Sequence, residues 1–209
     1  MYPLLSAGTN TEFIPGVRAE DFTLSAESAA AQVREHRPSI VLLCSPNNPT
    51  GTALEDDVVD AVYRAGEESN TVVVVDEAYA EFSRFPERTA LRLLEGRPRL
   101  VVSRTMSKAF ALAGARLGYL VADPVIVDTV RVVRLPYHLS AVTQAAALAA
   151  LSHRDELMAQ VASLRDERDA FVEWLRSQGL SAHASDANFV LFGPFPDRDA
   201  VWQGLLDAG

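Results

Sequence analysis

Lysine is almost missing from this sequence: Lys108 is the only one, and the other 18 of the 19 basic residues are arginine. On a solvated surface either residue supplies a charge. Where chemistry needs an amine that can lose a proton and attack a carbonyl, arginine cannot serve. Cysteine is as scarce. Cys44 stands alone, which excludes an internal disulfide and fits a reducing cytoplasm. No apolar run is long enough to cross a bilayer, and the N-terminus lacks the basic, apolar, small-residue pattern of an export signal, so no membrane is expected. Basic charge is also short. The net charge of −9 argues against a general nucleic-acid surface, though it leaves room for a local anion site. There is no repeat and no low-complexity linker. The four histidines, at 36, 138, 153 and 183, show no metal-ligand spacing with Cys44.

What is present alternates. Residues 39–45 (SIVLLCS), 71–75 of TVVVVDEAY, 99–105 (RLVVSRT) and 117–123 (LGYLVAD) are short apolar runs that read as strands. Residues 53–69 read as a helix, with acids near its start and Val58, Val59, Val62 and Ala65 at helical spacing. Strands this apolar imply a sheet covered on both sides, in a mostly parallel α/β fold. Residues 141–178 are nearly all helix-compatible, with an interruption near Ser152–His153. Leu157, Val161, Leu164, Phe171 and Leu175 form an apolar stripe in which Arg168 is the odd member. Residues 187–193 (ANFVLFG) read as a strand and 197–209 as a helix. A domain boundary is expected between 135 and 150, giving a domain over 1–140 and a second, incomplete one over 141–209.

In parallel sheets, ligands bind beyond the carboxyl ends of the strands. The first strand ends in SPNNPTG, the second in Asp76 with Tyr79 three residues on, and the third in Thr105, Ser107 and Lys108, while Arg116 precedes the fourth. Each residue has an ordinary alternative: a turn, a helix cap, a surface arginine. Two enzyme classes fail on the residues themselves. A nucleotide triphosphatase needs a glycine-rich loop ending in Gly-Lys-Ser or Gly-Lys-Thr, and the only lysine follows Ser107. A Ser-x-x-Lys acyl-enzyme needs serine at 105, where Thr105 stands.

The segments SPNNPTG (45–51), VVVVDEAYAEF (72–82), SRTMSKAFALAGARLGYLVA (103–122) and RLPYHLSAVTQAAALAAL (134–151) resemble the fold type I pyridoxal-phosphate aminotransferases. Within that family they are most similar to the branch that transaminates histidinol phosphate with 2-oxoglutarate in histidine biosynthesis. The resemblance covers nearly the whole chain. It implies a large cofactor domain in which a mostly parallel sheet lies between helices, plus part of a smaller α+β domain. It implies pyridoxal 5'-phosphate as cofactor, an amino donor and a 2-oxo acid as substrates, and a homodimer with its active sites at the subunit interface. By resemblance, Lys108 bonds to the cofactor aldehyde and shuttles a proton. Asp76 pairs with the ring nitrogen, Asn48 and Tyr79 bind the ring oxygen, and Thr105, Ser107 and Arg116 bind the phosphate.

Three family features are not found: a small-residue turn giving amides to the phosphate, an aromatic ring stacked on the cofactor just before the segment matching Tyr2–Pro3, and a downstream arginine for a substrate carboxylate. The chain is therefore expected to be truncated at both ends. An aromatic amino-acid aminotransferase, or a decarboxylase or lyase of the same fold, would share the cofactor residues. An inactive fragment is the remaining alternative.

Overall fold

The apolar runs become strands in the computed structural model, which describes residues 1–209. β1 (Ile40–Cys44), β2 (Val72–Asp76) and β3 (Leu100–Thr105) lie parallel, and β4 (Gly118–Ala122) runs antiparallel beside β3. The strand order is β1-β2-β3-β4. Cys44 pairs with Asp76 and Asp76 with Ser103, so the parallel strands end together. Because β4 runs the other way, its first residue, Gly118, pairs with Thr105 at that same edge. The approach there is close: a Cβ on Gly118 would stand 2.8 Å from the Arg104 carbonyl oxygen.

Two helices cover one face. α2 (Ala26–His36) is capped by Ser25, whose hydroxyl accepts the Ser28 N–H at 3.1 Å. α3 (Asp56–Ala65) opens on two aspartates, which suit the positive end of its dipole. Val58, Val59 and Val62 of α3 and Val33 of α2 are buried with Leu43, Val73, Val75, Leu100 and Val102 of the sheet. Each such side chain contributes roughly 1.5–3 kcal/mol by leaving water. Alternation along the strands sends Cys44 and Asp76 to the opposite face. There Ile40 and Leu42 stay 59% and 38% exposed. The architecture is the mostly parallel sheet with flanking helices read from the sequence.

Before the sheet lies α1 (Tyr2–Gly8); after it come α4 (Pro124–Val133), α5 (Ala141–Ser152), α6 (Arg154–Ser177) and α7 (Arg198–Ala208). The break at His153 and the helix over the last residues are where the sequence places them. The stripe on α6 differs from expectation. Val161, Val172 and Leu175 are buried, but Leu164 and Phe171 are exposed, and Arg168 is only 6% exposed. Its Nη1 donates to the carbonyls of Phe82 (2.7 Å) and Ala187 (2.9 Å), so a guanidinium serves where an apolar residue would leave two carbonyls unpaired.

The strand expected over 187–193 does not form. Only Ala182 and Phe192 form a bridge, flanked by hydrogen bonds from His183 N–H to Leu191 and from Gly193 N–H to Ser181. Residues 185–189 instead spend their backbone groups on Gly51 and on Arg168. No helix is long and apolar enough to cross a membrane. The solvent-accessible surface is 13,178 Å², whereas a compact monomer of this mass exposes roughly 9,500 Å².

Candidate active site

Asp76 ends β2, and both its oxygens are engaged by neutral donors. Oδ1 accepts the Ala78 N–H at 3.2 Å, and Oδ2 accepts the Tyr2 hydroxyl at 2.7 Å. Burial, then the hydrogen bond to Asp76, pushes the Tyr2 phenol far above its ordinary range, so it stays a donor. Burial and the charge of Asp76 push the neighbouring Cys44 thiol up, against the pull of other neighbours, which keeps it neutral. Asp76 is thus held in place without a cationic partner.

Beyond it, the Asn48 amide donates to the Tyr79 hydroxyl at 2.9 Å. Tyr79 therefore keeps its own proton for another acceptor, and Asn48 keeps a second N–H. Tyr79 is buried, and Phe189 packs edge-on against it, with ring centroids 5.1 Å apart at 89°. The Lys108 ammonium lies 5.5 Å from the centroid of the Tyr79 ring. Lys108 itself is exposed on a turn pinned by the buried side chains of Met106 and Ala109. Ala111 N–H closes that turn on the Lys108 carbonyl at 3.0 Å, and Leu112 N–H on the Met106 carbonyl at 3.1 Å.

The Thr105 hydroxyl lies 2.9 Å from Ser107 Oγ and accepts the Ser107 N–H at 3.1 Å. The sequence suggested that these hydroxyls open a helix. They do not: residues 106–112 form turns, followed by a single 3-10 turn over Ala113–Ala115. Left-handed backbone at Ala111 (φ 54°) and Arg116 (φ 52°) breaks the helical path. The Arg116 guanidinium is exposed and donates to the Ala113 carbonyl at 3.1 Å. The fold therefore places Asn48, Asp76, Tyr79, Thr105, Ser107 and Lys108 along one edge, with Arg116 beside them but turned toward its own loop.

Sequence reasoning missed Tyr2, Asp186 and Phe189. Tyr2 is 74 residues from Asp76, and Asp186 is 103 from Ser83, so no local pattern marks them. The pyridoxal phosphate expected from the sequence carries a ring nitrogen, a ring oxyanion, an aldehyde and a phosphate. The donor set fits the first three: a carboxylate free of cations, a pair of O–H and N–H donors, and an amine. For a phosphate, the Thr105 and Ser107 hydroxyls stand together, while the Arg116 guanidinium is engaged with the Ala113 carbonyl.

An amine, a fixed carboxylate and a pair of O–H and N–H donors thus stand together at the carboxyl edge of a mostly parallel sheet. The chain belongs to the aminotransferase class I and II family, whose sequence profile matches residues 6–209. It is 63% identical over 209 residues to the histidinol-phosphate aminotransferase of Paenarthrobacter aurescens strain TC1, covering all of this chain and 56% of that protein. It is 58% identical over 209 residues to the one from Thermobifida fusca strain YX, covering all of this chain and again 56% of the relative. Among solved structures, histidinol-phosphate aminotransferase from Sinorhizobium meliloti, in complex with pyridoxal-5'-phosphate, superposes with a TM-score of 0.85 at 28% identity. That match covers 99% of this chain and 55% of that one. The chain thus spans about half the length of the curated relatives it matches.

Proposed function

We propose that the chain belongs to a cytoplasmic, homodimeric, pyridoxal-phosphate-dependent transaminase that moves the amino group of histidinol phosphate to 2-oxoglutarate. One observation carries the chemistry: the only lysine stands 5.5 Å from the Tyr79 ring, at the sheet edge that ends in Asp76. The substrate rests on identities of 63% and 58% to two histidinol-phosphate aminotransferases across every residue of the chain.

Bound pyridoxal phosphate supplies an aldehyde for covalent attachment and a ring that draws electrons from the reacting carbon. Lys108 would hold the cofactor through Nζ and would supply there an amine able to accept and return a proton. Asp76 takes the proton-bearing ring nitrogen, and its neutral neighbours leave its charge for that contact. Tyr79 and Asn48 donate to the ring oxygen. Thr105, Ser107 and Arg116 take the phosphate, with Arg116 suited to a bidentate grip.

Residues 1–140 belong to the cofactor domain in this reading, and 141–209 to linking helices and part of the smaller domain. The change at Ala141 from sheet-and-helix to helices with one isolated bridge supports that division. The excess accessible surface, and exposed apolar residues such as Val132, Val133, Leu135 and Tyr137, support a subunit interface together with the rest of a longer polypeptide. The test is a substrate panel on the whole protein. Glutamate formed from 2-oxoglutarate with histidinol phosphate as best donor is expected. A stronger response to aromatic amino acids assigns it to that branch instead, and release of carbon dioxide without glutamate makes it a decarboxylase.

A further inference from the structure

Residues 185–189 (Ser-Asp-Ala-Asn-Phe) lie more than a hundred residues beyond Asn48 and Tyr79 in sequence, yet they touch Tyr79 and the turn that carries Asn48. Asp186 N–H donates to the Gly51 carbonyl at 2.8 Å, and Gly51 N–H closes the turn on the Asn47 carbonyl at 2.7 Å. Ser185 fills the space over Gly51: a Cβ on that glycine would stand 2.3 Å from Ser185 Oγ. Three residues further on, Phe189 packs edge-on against Tyr79.

The segment is itself anchored. The Asp186 carboxylate is buried and accepts from Arg84 N–H (2.9 Å), Arg84 Nε (3.1 Å), Arg84 Nη2 (3.0 Å) and Ser83 Oγ (3.3 Å). Arg168 of α6 joins the Phe82 and Ala187 carbonyls, which ties the same two loops a second time. Four charge-assisted or buried contacts on one carboxylate are more than a surface loop needs, and all of them converge beside the turn that carries Asn48.

We propose that residues 185–189 are a positioning brace, in which Asp186 fixes the Asn47–Gly51 turn and Phe189 fixes the Tyr79 ring, so that Asn48 and Tyr79 present their donors to the cofactor's ring oxygen in one geometry. Asp186 and Phe189 are positioning residues that act through the Asn47–Gly51 turn and through Tyr79. The consequence for function rests on the assignment of Asn48 and Tyr79 to the ring oxygen. The mechanical part does not. A hydrogen bond loses strength steeply as its angle departs from linear, so a turn free to rock weakens both donors without removing either.

The experiment uses Asp186→Asn, Phe189→Leu and the milder Arg84→Gln in the whole protein, with Asn48→Ala and Tyr79→Phe as references. Amide hydrogen exchange without added cofactor reads the brace. Pyridoxal-phosphate affinity, and the pH midpoint of the bound cofactor's visible absorbance, read its consequence. Faster exchange over residues 45–52 is expected in Asp186→Asn and Arg84→Gln. Affinity should fall roughly tenfold, and the midpoint should move in the direction set by the two references. Exchange that changes only near 182–190, with 45–52 protected as in the parent, overturns the brace. Arg84→Gln lets this be read even where Asp186→Asn fails to fold. References that leave the midpoint unmoved while 45–52 loosens would sink the ring-oxygen assignment and leave the brace standing.

Discussion

Tyr2 and Ala78 hold the Asp76 carboxylate with neutral groups, and that choice has a consequence for mutants. A charge-assisted hydrogen bond contributes roughly 1.5–3 kcal/mol, equivalent to about ten- to a hundredfold in an equilibrium or a rate. Asp76→Ala in the whole protein should weaken pyridoxal-phosphate binding by that much. Its loss of kcat at saturating cofactor should be larger, because the ring then also loses the carboxylate that keeps it cationic. Its loss of folding stability should be smaller than its loss of kcat, because the Tyr2 hydroxyl and the Ala78 N–H lose their acceptor but no cation is left unpaired. Unchanged kcat would reduce Asp76 to a cap for the Ala78 turn. At this scale one short motif marks both Lys108 and Arg116 by residue type and spacing, and the fold brings Lys108 to the Tyr79 ring while Arg116 faces its own loop. The sequence was silent on Tyr2, Asp186 and Phe189, whose partners are brought to them by topology.

The β3–β4 pair and the 185–189 segment show what can and cannot be read at the scale of elements. Strands 1 to 4 were legible as short runs of mostly apolar residues, and the helices of 141–178 as a long stretch free of glycine and proline. Residues 187–193 have strand composition, but they pair with 181–183 only through the single Ala182–Phe192 bridge, and the Ala187 carbonyl is taken by Arg168. Gly118 is a position where the chain has no latitude. Gly118→Ala should disrupt the β3–β4 pairing and cost several kcal/mol, a loss comparable to the roughly 2–5 kcal/mol of Leu100→Ala in the core. Glu35→Ala on the exposed side of α2 should stay within about 0.5 kcal/mol. Urea denaturation compares the three, and a Gly118→Ala protein as stable as the parent would contradict the close approach.

Asp186 adds a pH dependence at this scale. Burial opposes its ionisation, but hydrogen bonds from the Arg84 side chain and N–H, helped by the charges of Arg84 and Arg168, hold its carboxyl below the usual range. A carboxyl depressed in the folded state stabilises above its unfolded pKa and loses that contribution as pH falls through its folded value. Asp186→Asn should therefore be less stable by roughly 2–3 kcal/mol at neutral pH, Arg84 being partly exposed. The gap to the parent should close below the ordinary aspartate range. A gap constant from neutral pH down to the acid limb would mean that the Asp186 charge contributes nothing.

At the scale of the whole molecule, the chain exposes roughly 3,600 Å² more than a compact monomer of its mass. An exposed apolar β1 face and the valines of α4 account for part of it. Sedimentation of the whole protein should therefore give a dimer across the micromolar range, and a monomer there would contradict a shared interface. The proposed function depends on one amine, that of Lys108. Borohydride reduction of the protein with pyridoxal phosphate, followed by mass spectrometry of its peptides, tests that claim most directly. The expected result is a single pyridoxyl adduct on the peptide containing Lys108, absent from Lys108→Ala and from Lys108→Arg. An adduct on the α-amino group alone, or equal labelling of Lys108→Ala, would contradict it.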